Sequence, residues 1–324
     1  MNTLPLKYLS LGQLLSANIN SPQAQAAGIP VPYPGFNGSV AQALRPYPQY
    51  LNIANILSFE KTELWHAGIF ELQKHWGGGL TFLVNYIISK QLSNDPLASS
   101  NAGISTPFTN AVQTSELRNR TGKANIVSST SNGGDRPQIL NLTYTYELPF
   151  GQGKRFLGSA SPVVNHLVGG WTVSGIQSYT SGTVMGIRTS ASIPSYGPIW
   201  ALRNPAGGAI RTNVSCANYD PNNASTNQYL NPNAFVAPAQ FALGDTFVLP
   251  NTRTCGYLNE DFSLAKRFYW RERYQVKIGV DLLNAFNRHM WTGLQSNISN
   301  PATYGHYTSA SDPRIMEAHI NVDF

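Results

Sequence analysis

The last ten residues decide the fold of this chain, and they read Ile315-Met316-Glu317-Ala318-His319-Ile320-Asn321-Val322-Asp323-Phe324. From Met316 onward the even positions carry apolar side chains and the odd positions carry polar ones. Strict alternation with a period of two is typical of a β-strand with an apolar environment on one face and a polar environment on the other. The segment therefore predicts an amphipathic strand that ends at Phe324.

The same alternation recurs upstream, clearly in some segments and weakly in others. Seven segments show it, and they are 64–76, 80–88, 140–148, 170–181, 258–270, 274–282 and 315–324. An eighth strand is expected near 49–58 or 183–189. Segments of about nine to thirteen residues are long enough to cross a bilayer as tilted strands. Strands of soluble proteins average only about five or six residues, so strand length favours a membrane protein.

Composition agrees with a membrane-spanning sheet. Charged residues make up 12% of the 324 residues, which is half of the roughly 25% usual for soluble domains. Aromatic residues reach 11%. There is no run of about 18 apolar residues, which excludes a transmembrane helix. A closed barrel is the other structure that crosses a bilayer with every backbone group paired, so we expect an all-β, antiparallel transmembrane β-barrel.

The lengths of the connections indicate which end of the barrel faces outward. Short links at 77–79, 271–272 and 150–170 alternate with long polar segments at about 92–135, 182–256 and 288–312. In outer-membrane barrels the short turns are periplasmic and the long loops are extracellular. We therefore expect a C-terminal partial barrel of about 7–10 strands in residues 64–324. Residues 1–63 are expected to form a loop-rich segment on the extracellular side.

The side chains expected to matter most are structural. The terminal strand should place one row of side chains against outer-membrane lipid and present it to the barrel assembly machinery, and this row is Met316, Ala318, Ile320, Val322 and Phe324. Aromatic side chains at strand ends are expected at the membrane interface, and these are Trp76, Phe150, Trp171, Phe268, Tyr269 and Trp270. Packing in an ordinary apolar core is the alternative for these aromatic side chains.

The two cysteines, Cys216 and Cys255, bracket one Asn-rich stretch. An even pair in such a segment suggests a disulfide within a loop and an oxidising compartment. Two free buried thiols are the alternative.

The motifs that would indicate catalysis or a cofactor are incomplete. The stretch 151–154 resembles a phosphate-binding loop but lacks the following Ser or Thr, so a periplasmic turn is the better interpretation. The six histidines show no metal-ligand spacing, although His289 and His306 leave a weak metal site in a shared loop as an alternative. The acids Glu147, Asp281 and Asp323 are better explained as lining of a polar lumen than as a paired-carboxylate site. The net charge of +6 is scattered, which argues against nucleic-acid binding. We expect no enzyme activity and no cofactor.

A series of short motifs then connects the chain to a known family. In chain order they are Arg45-Pro46-Tyr47-Pro48-Gln49, Tyr86-Ile87-Ile88-Ser89-Lys90, 146–156 (YELPFGQGKRF), Gly169-Gly170-Trp171, 229–235 (YLNPNAF), Asp261-Phe262-Ser263-Leu264 and Leu283-Asn284-Ala285-Phe286-Asn287. Their order and spacing are similar to those of the C-terminal barrel region of Oar-like TonB-dependent receptors. This group carries an N-terminal carboxypeptidase-regulatory-like domain.

The resemblance implies a location in the outer membrane and energised uptake of a large or scarce nutrient. The TonB complex would act through a plug domain that this chain lacks, and the complete barrel would have about 22 strands. The chain begins without a secretory signal peptide, so we expect it to be a fragment of a longer receptor with an unknown ligand. One alternative is a self-contained small barrel that acts as a channel or adhesin. Another is a soluble all-β sugar-binding module.

Overall fold

A computed structural model of the protein describes residues 2–51, 53, 63–93, 127–128, 135–195, 197–244, 249–270 and 274–323. The α-helices are short, and they are α1 (Pro22–Ala26), α2 (Val40–Ala43) and α3 (Pro162–Val168). The described residues also form 3-10 helices at Leu6–Ser16 and Pro205–Gly207. Within the described residues, no helix is long and apolar enough to cross a membrane.

Strands dominate the described part of the chain. They are β1 (Glu63–Gly77), β2 (Leu80–Ser93), β3 (Val127–Ser128), β4 (Gln138–Glu147), β5 (Trp171–Thr180), β6 (Val184–Met185), β7 (Arg188–Ile193), β8 (Gly197–Trp200), β9 (Leu202–Arg203), β10 (Phe235–Val236), β11 (Leu249–Arg253), β12 (Tyr257–Trp270), β13 (Tyr274–Leu283), β14 (Trp291–Leu294), β15 (Tyr307–Ala310) and β16 (Ile315–Asp323).

Seven long strands build one large antiparallel sheet in the order β1-β2-β4-β5-β12-β13-β16, and the two-residue β3 pairs with the end of β2. These are the seven strands that the sequence predicts, and the all-β antiparallel fold is confirmed. The eighth candidate near 183–189 does form the strands β6 and β7, but they belong to separate two-stranded sheets among the loops and do not extend the large sheet. Most of the other candidate, 49–58, lies outside the described residues.

The register keeps apolar positions together across the whole sheet. Ile320 of β16 lies opposite Ile278 of β13, and Leu264 of β12 lies opposite Val280 of β13. Directly opposed residues point to the same side of a sheet. A slip of one residue in any pair would move one strand's apolar side chains to the polar face, so the alternation in the sequence fixes the pairing.

The shortest hairpin shows how the turns are encoded. Gly77 pairs with Leu80, which leaves Gly78 and Gly79 as a two-residue loop with φ of 64° and 79°. Such tight hairpins require positive φ at both central positions, which glycine adopts without a steric penalty. The Gly-Gly pair therefore sets the register between β1 and β2.

The most deeply buried side chains lie among the loops rather than in the large sheet. One cluster joins the N-terminal residues to the loop that follows β5, since Leu4, Leu15 and Val40 pack with Ile193 and Ile199. A second cluster unites residues 185–249 with the connection between β13 and β16, and its core residues are Met185, Ile187, Ala201, Tyr219, Tyr229, Leu230, Ala234, Phe235, Leu249, Tyr304 and Tyr307. We call these packed connections the loop assembly.

Candidate functional site

One face of the large sheet, which we call the outer face, is predominantly apolar. Across β12, β13 and β16 its rows are Phe262–Leu282–Met316, Leu264–Val280–Ala318, Lys266–Ile278–Ile320 and Phe268–Val276–Val322, in which Lys266 is the single polar member. The side chains of Met316 and Ile320 are each 67% exposed, and that of Val322 is 55% exposed. Phe324 lies outside the described residues. Apolar side chains in such numbers, uncovered by protein, indicate contact with lipid or with another apolar surface.

The inner face of the same strands is polar. His319 Nδ1 lies 3.2 Å from Asp281 Oδ2, and Glu317 lies opposite Asp281 in the register. Gly279 provides the space for the imidazole, because a Cβ at that position would lie 2.5 Å from the His319 ring. Polar side chains facing inward with apolar ones facing outward is the arrangement of an outer-membrane barrel.

The inner face is less polar near β1. Ile69, Ile87 and Ile139 lie side by side across β1, β2 and β4, and Ile69 is 58% exposed. The blurred alternation of segment 80–88 is the sequence signal for this patch.

The predicted interfacial aromatic residues lie in different places. Trp171 and Phe268 lie on the outer face, where Lys266 Nζ sits 4.8 Å and 5.1 Å from their ring centroids. Phe150 packs against Phe156 with ring centroids 5.7 Å apart. Tyr269 pairs with Gln275 and so lies on the inner face, because it alternates with Phe268, and the structure does not place it in an outer ring. The side chains of Trp76 and Trp270 lie outside the described residues.

The turn after β13 holds a buried ion pair. This turn lies at the end of the sheet opposite to the turn between β12 and β13. Glu260 is 2% exposed, and the Nε–H of Arg288 donates to both of its carboxylate oxygens at 2.8 and 2.9 Å. This hydrogen bonding raises the pKa of Arg288. Asn284, with φ of 49°, donates through its side-chain amide to the carbonyls of Arg288 and Asp312. The motif at 283–287 thus encodes a rim turn, and the ion pair is a feature that sequence reasoning missed.

A second buried ion cluster ties three distant segments together. Asp135 is completely buried, and its carboxylate accepts from Lys90 Nζ at 2.6 Å, from the Gln91 N–H at 2.9 Å and from Arg253 at 2.7 Å. Burial alone would raise the pKa of Asp135, but these hydrogen bonds together hold that pKa below its ordinary value. No spacing in the sequence links positions 90, 135 and 253, so this cluster could be found only from the structure.

The disulfide packs against the second cluster of the loop assembly. Cys216 and Cys255 are bonded, with Cα atoms 5.7 Å apart. The backbone N–H of Cys255 donates to the Tyr307 hydroxyl at 2.8 Å, and Tyr307 packs edge-on against Tyr229. Burial raises the pKa of Tyr307, so its hydroxyl stays protonated as a hydrogen-bonding group. The disulfide therefore joins the Asn-rich stretch to the residues just before β12.

A cavity of about 590 Å³ opens where the inner face of the sheet meets the loop assembly. Thr180 of β5 and Tyr257 of β12 are paired inner-face residues that form one wall, and Trp291 of β14 lies on another. Thr183 and Thr254 share a hydroxyl contact of 3.2 Å on the same lining. The cavity is large enough for a small ligand. Because it lies where the inner face meets the loop assembly, we call it the mouth cavity.

Metal-binding geometry is not found in the described part of the chain, where no group of three or more His, Cys, Asp or Glu side chains could hold an ion. His289 instead packs against Trp291 with ring centroids 5.5 Å apart. The weak metal site at His289 and His306 is therefore not supported by the arrangement of these residues.

Comparison with known proteins agrees with this geometry. A family model described as an outer membrane beta barrel domain matches residues 9–317. No curated protein and no solved structure matches the chain.

Proposed function

We propose that this chain, which belongs to the outer membrane beta barrel domain family, is the C-terminal part of a TonB-dependent receptor for a large or scarce nutrient. The chain is an outer-membrane protein, and its apolar outer face lies against hydrocarbon. In this proposal it acts by ligand binding and transport rather than by catalysis. The barrel assembly machinery would insert it, and the TonB complex would energise it through a plug domain.

The observation that carries the proposal is the open sheet. Among the described strands, β1 pairs only with β2 and β16 pairs only with β13. Neighbouring strands alternate in direction along the order of seven, so β1 and β16 run in the same direction. An antiparallel closure therefore needs an odd number of further strands between these two edges, because every added strand reverses direction. A barrel of about 22 strands would supply fifteen.

The loop assembly supports a receptor over a simple pore. Its two packed clusters, its disulfide and the mouth cavity form an ordered surface above the inner face. Ligand sites of this kind are concave and largely preformed. Two of the motifs that resemble those of Oar-like receptors lie at structural positions, since Tyr229 and Leu230 are buried in the loop assembly and Asn284 forms the rim turn.

The proposal is tested by two measurements on folded protein. The full reading frame that contains this chain, purified from outer membranes, should bind the periplasmic domain of TonB. The 324-residue chain should not bind it, and should give no uniform conductance step in planar bilayers after heat-modifiable folding is verified. The receptor proposal is contradicted if the full reading frame does not bind TonB and the 324-residue chain conducts ions in steps of one size. That result would favour a self-contained channel closed by one further strand.

A further inference from the structure

The connection between β4 and β5, residues 148–170, carries exposed apolar side chains that the barrel wall does not explain. We call it the rim segment. Its large exposed side chains are Phe150, Phe156, Leu157, Val163, Val164 and Leu167, of which Val163 and Leu167 are 73% and 70% exposed. If this segment were a periplasmic turn surrounded by water, exposing six such groups together would raise its free energy.

The apolar side chains of α3 form one stripe. Val163 and Leu167 are four residues apart and lie on the same side of the helix, with Val164 beside them. The polar side faces the protein, since the side-chain oxygen of Asn165 accepts from the Gln152 N–H at 2.7 Å. The stripe is therefore directed away from the rest of the segment.

Two contacts place the end of α3 beside the lipid-facing wall rather than beneath the lumen. The indole N–H of Trp171 donates to the carbonyl of Leu167 at 3.0 Å. Lys266 Nζ donates to the carbonyls of Leu167 and Gly169 at 3.0 and 2.5 Å. Trp171 and Lys266 are paired residues of the outer face. The stripe on α3 is thus continuous with the apolar surface that contacts the membrane.

The charges of the rim segment match an anionic headgroup layer. Residues 148–170 contain Lys154 and Arg155 and no Asp or Glu. Arg155 stacks 5.6 Å from the Phe156 ring centroid. The adjacent carboxylate of Glu147 lies 3.4 Å from Lys154 and 4.0 Å from Arg267, and both of these weak pairs are solvent-exposed. Exposed pairs of this kind compete poorly with a phosphate.

We propose that the rim segment is an interfacial anchor that inserts its apolar stripe into the periplasmic leaflet and binds anionic phospholipid headgroups through Lys154 and Arg155. Helices with an apolar stripe and basic neighbours lie in the plane of the interface and bury the stripe at the boundary between headgroups and acyl chains. The inference depends on the membrane location of the barrel and is independent of any role in nutrient uptake.

The depth of the stripe can be measured on the full reading frame that contains this chain, in phospholipid nanodiscs. The two cysteines of this chain are bonded to each other, so neither competes with an introduced cysteine for a fluorophore. Val163→Cys tests the stripe, Ile320→Cys is a control within the wall, and Asn222→Cys is a control in the loop assembly. Bromines near the headgroup end of the acyl chains should quench the probe at 163 at least about twice as strongly as the probe at 222. Equal quenching at 163 and 222 overturns the proposal.

The headgroup preference is measured by native mass spectrometry of the chain in mixed phosphatidylglycerol and phosphatidylcholine. The double variant Lys154→Ala/Arg155→Ala should lose bound phosphatidylglycerol by about fivefold per cation removed. Lys277→Ala removes a cation from the inner face and should leave the bound lipid unchanged. Retention of phosphatidylglycerol by the double variant at the level of the unmodified chain also overturns the proposal, whatever the quenching shows.

Discussion

Replacing Ile320 by arginine tests the membrane contact of the outer face with a matched control in the same strand. Ile320 lies near the middle of β16, opposite Ile278, and is 67% exposed. A lipid-facing arginine near the bilayer midplane costs about 2–4 kcal/mol, which is about 30- to 900-fold in the folding equilibrium. The same substitution at the exposed neighbour Asn321, on the inner face, should change stability by less than about 0.5 kcal/mol.

The contrast between the two variants separates lipid from water around the sheet. Ile320 is already exposed, so in water Ile320→Arg would also cost less than about 0.5 kcal/mol. Guanidinium titrations of the full reading frame that contains this chain, folded into phospholipid vesicles and followed by tryptophan fluorescence, give both free energies of unfolding. Equal stabilities for Ile320→Arg and Asn321→Arg would refute the lipid-facing assignment of β16.

Three further predictions concern the loops and turns. Because the pKa of Asp135 is lowered, its stabilisation is full above about pH 4 and is lost as the pH falls through the lowered pKa. Asp135→Asn should abolish this acid dependence and cost about 1.5–3 kcal/mol, as read by near-ultraviolet circular dichroism between pH 7 and 2; an unchanged acid transition would contradict it. Cys216→Ser opens a loop of 39 residues closed by Cys255 and should cost about 4 kcal/mol in the chain-entropy model; limited proteolysis as slow as in the unmodified chain would argue against this. Gly78→Val should slow barrel folding whereas Gly78→Asn should not, because asparagine tolerates positive φ; equal folding rates would show that the turn does not set the register.

The sequence predicts the large sheet well because each of its strands is amphipathic by itself. Alternation in 274–282 and 315–324 needs no knowledge of distant residues, and lipid on one side makes the pattern strict. Tyr269 shows the limit of this reasoning, since clustering near a strand end does not determine which face a side chain occupies. Its alternation with Phe268 already indicates the polar face, and its register with Gln275 agrees.

The loop assembly was beyond sequence reasoning for a physical reason. Its strands are two to six residues long, and its packing joins the N-terminal Leu4 to Ile193, so no local period is present. The ion cluster at Asp135 likewise joins Lys90 and Arg253 across long sequence distances. The cysteine pair is the exception, because only one pairing of two cysteines within the chain exists.

Spin labels placed one at a time at positions 315–323 test the central account most directly, with the full reading frame that contains this chain folded in phospholipid bilayers. Collision with dissolved oxygen should be high at the even positions, including 316, 318, 320 and 322, and collision with a water-soluble nickel chelate should be high at the odd positions between them. The nine accessibilities should therefore alternate with a period of two and opposite phase for the two reagents. Even positions as accessible to the chelate as odd ones would mean that water, not hydrocarbon, surrounds this surface.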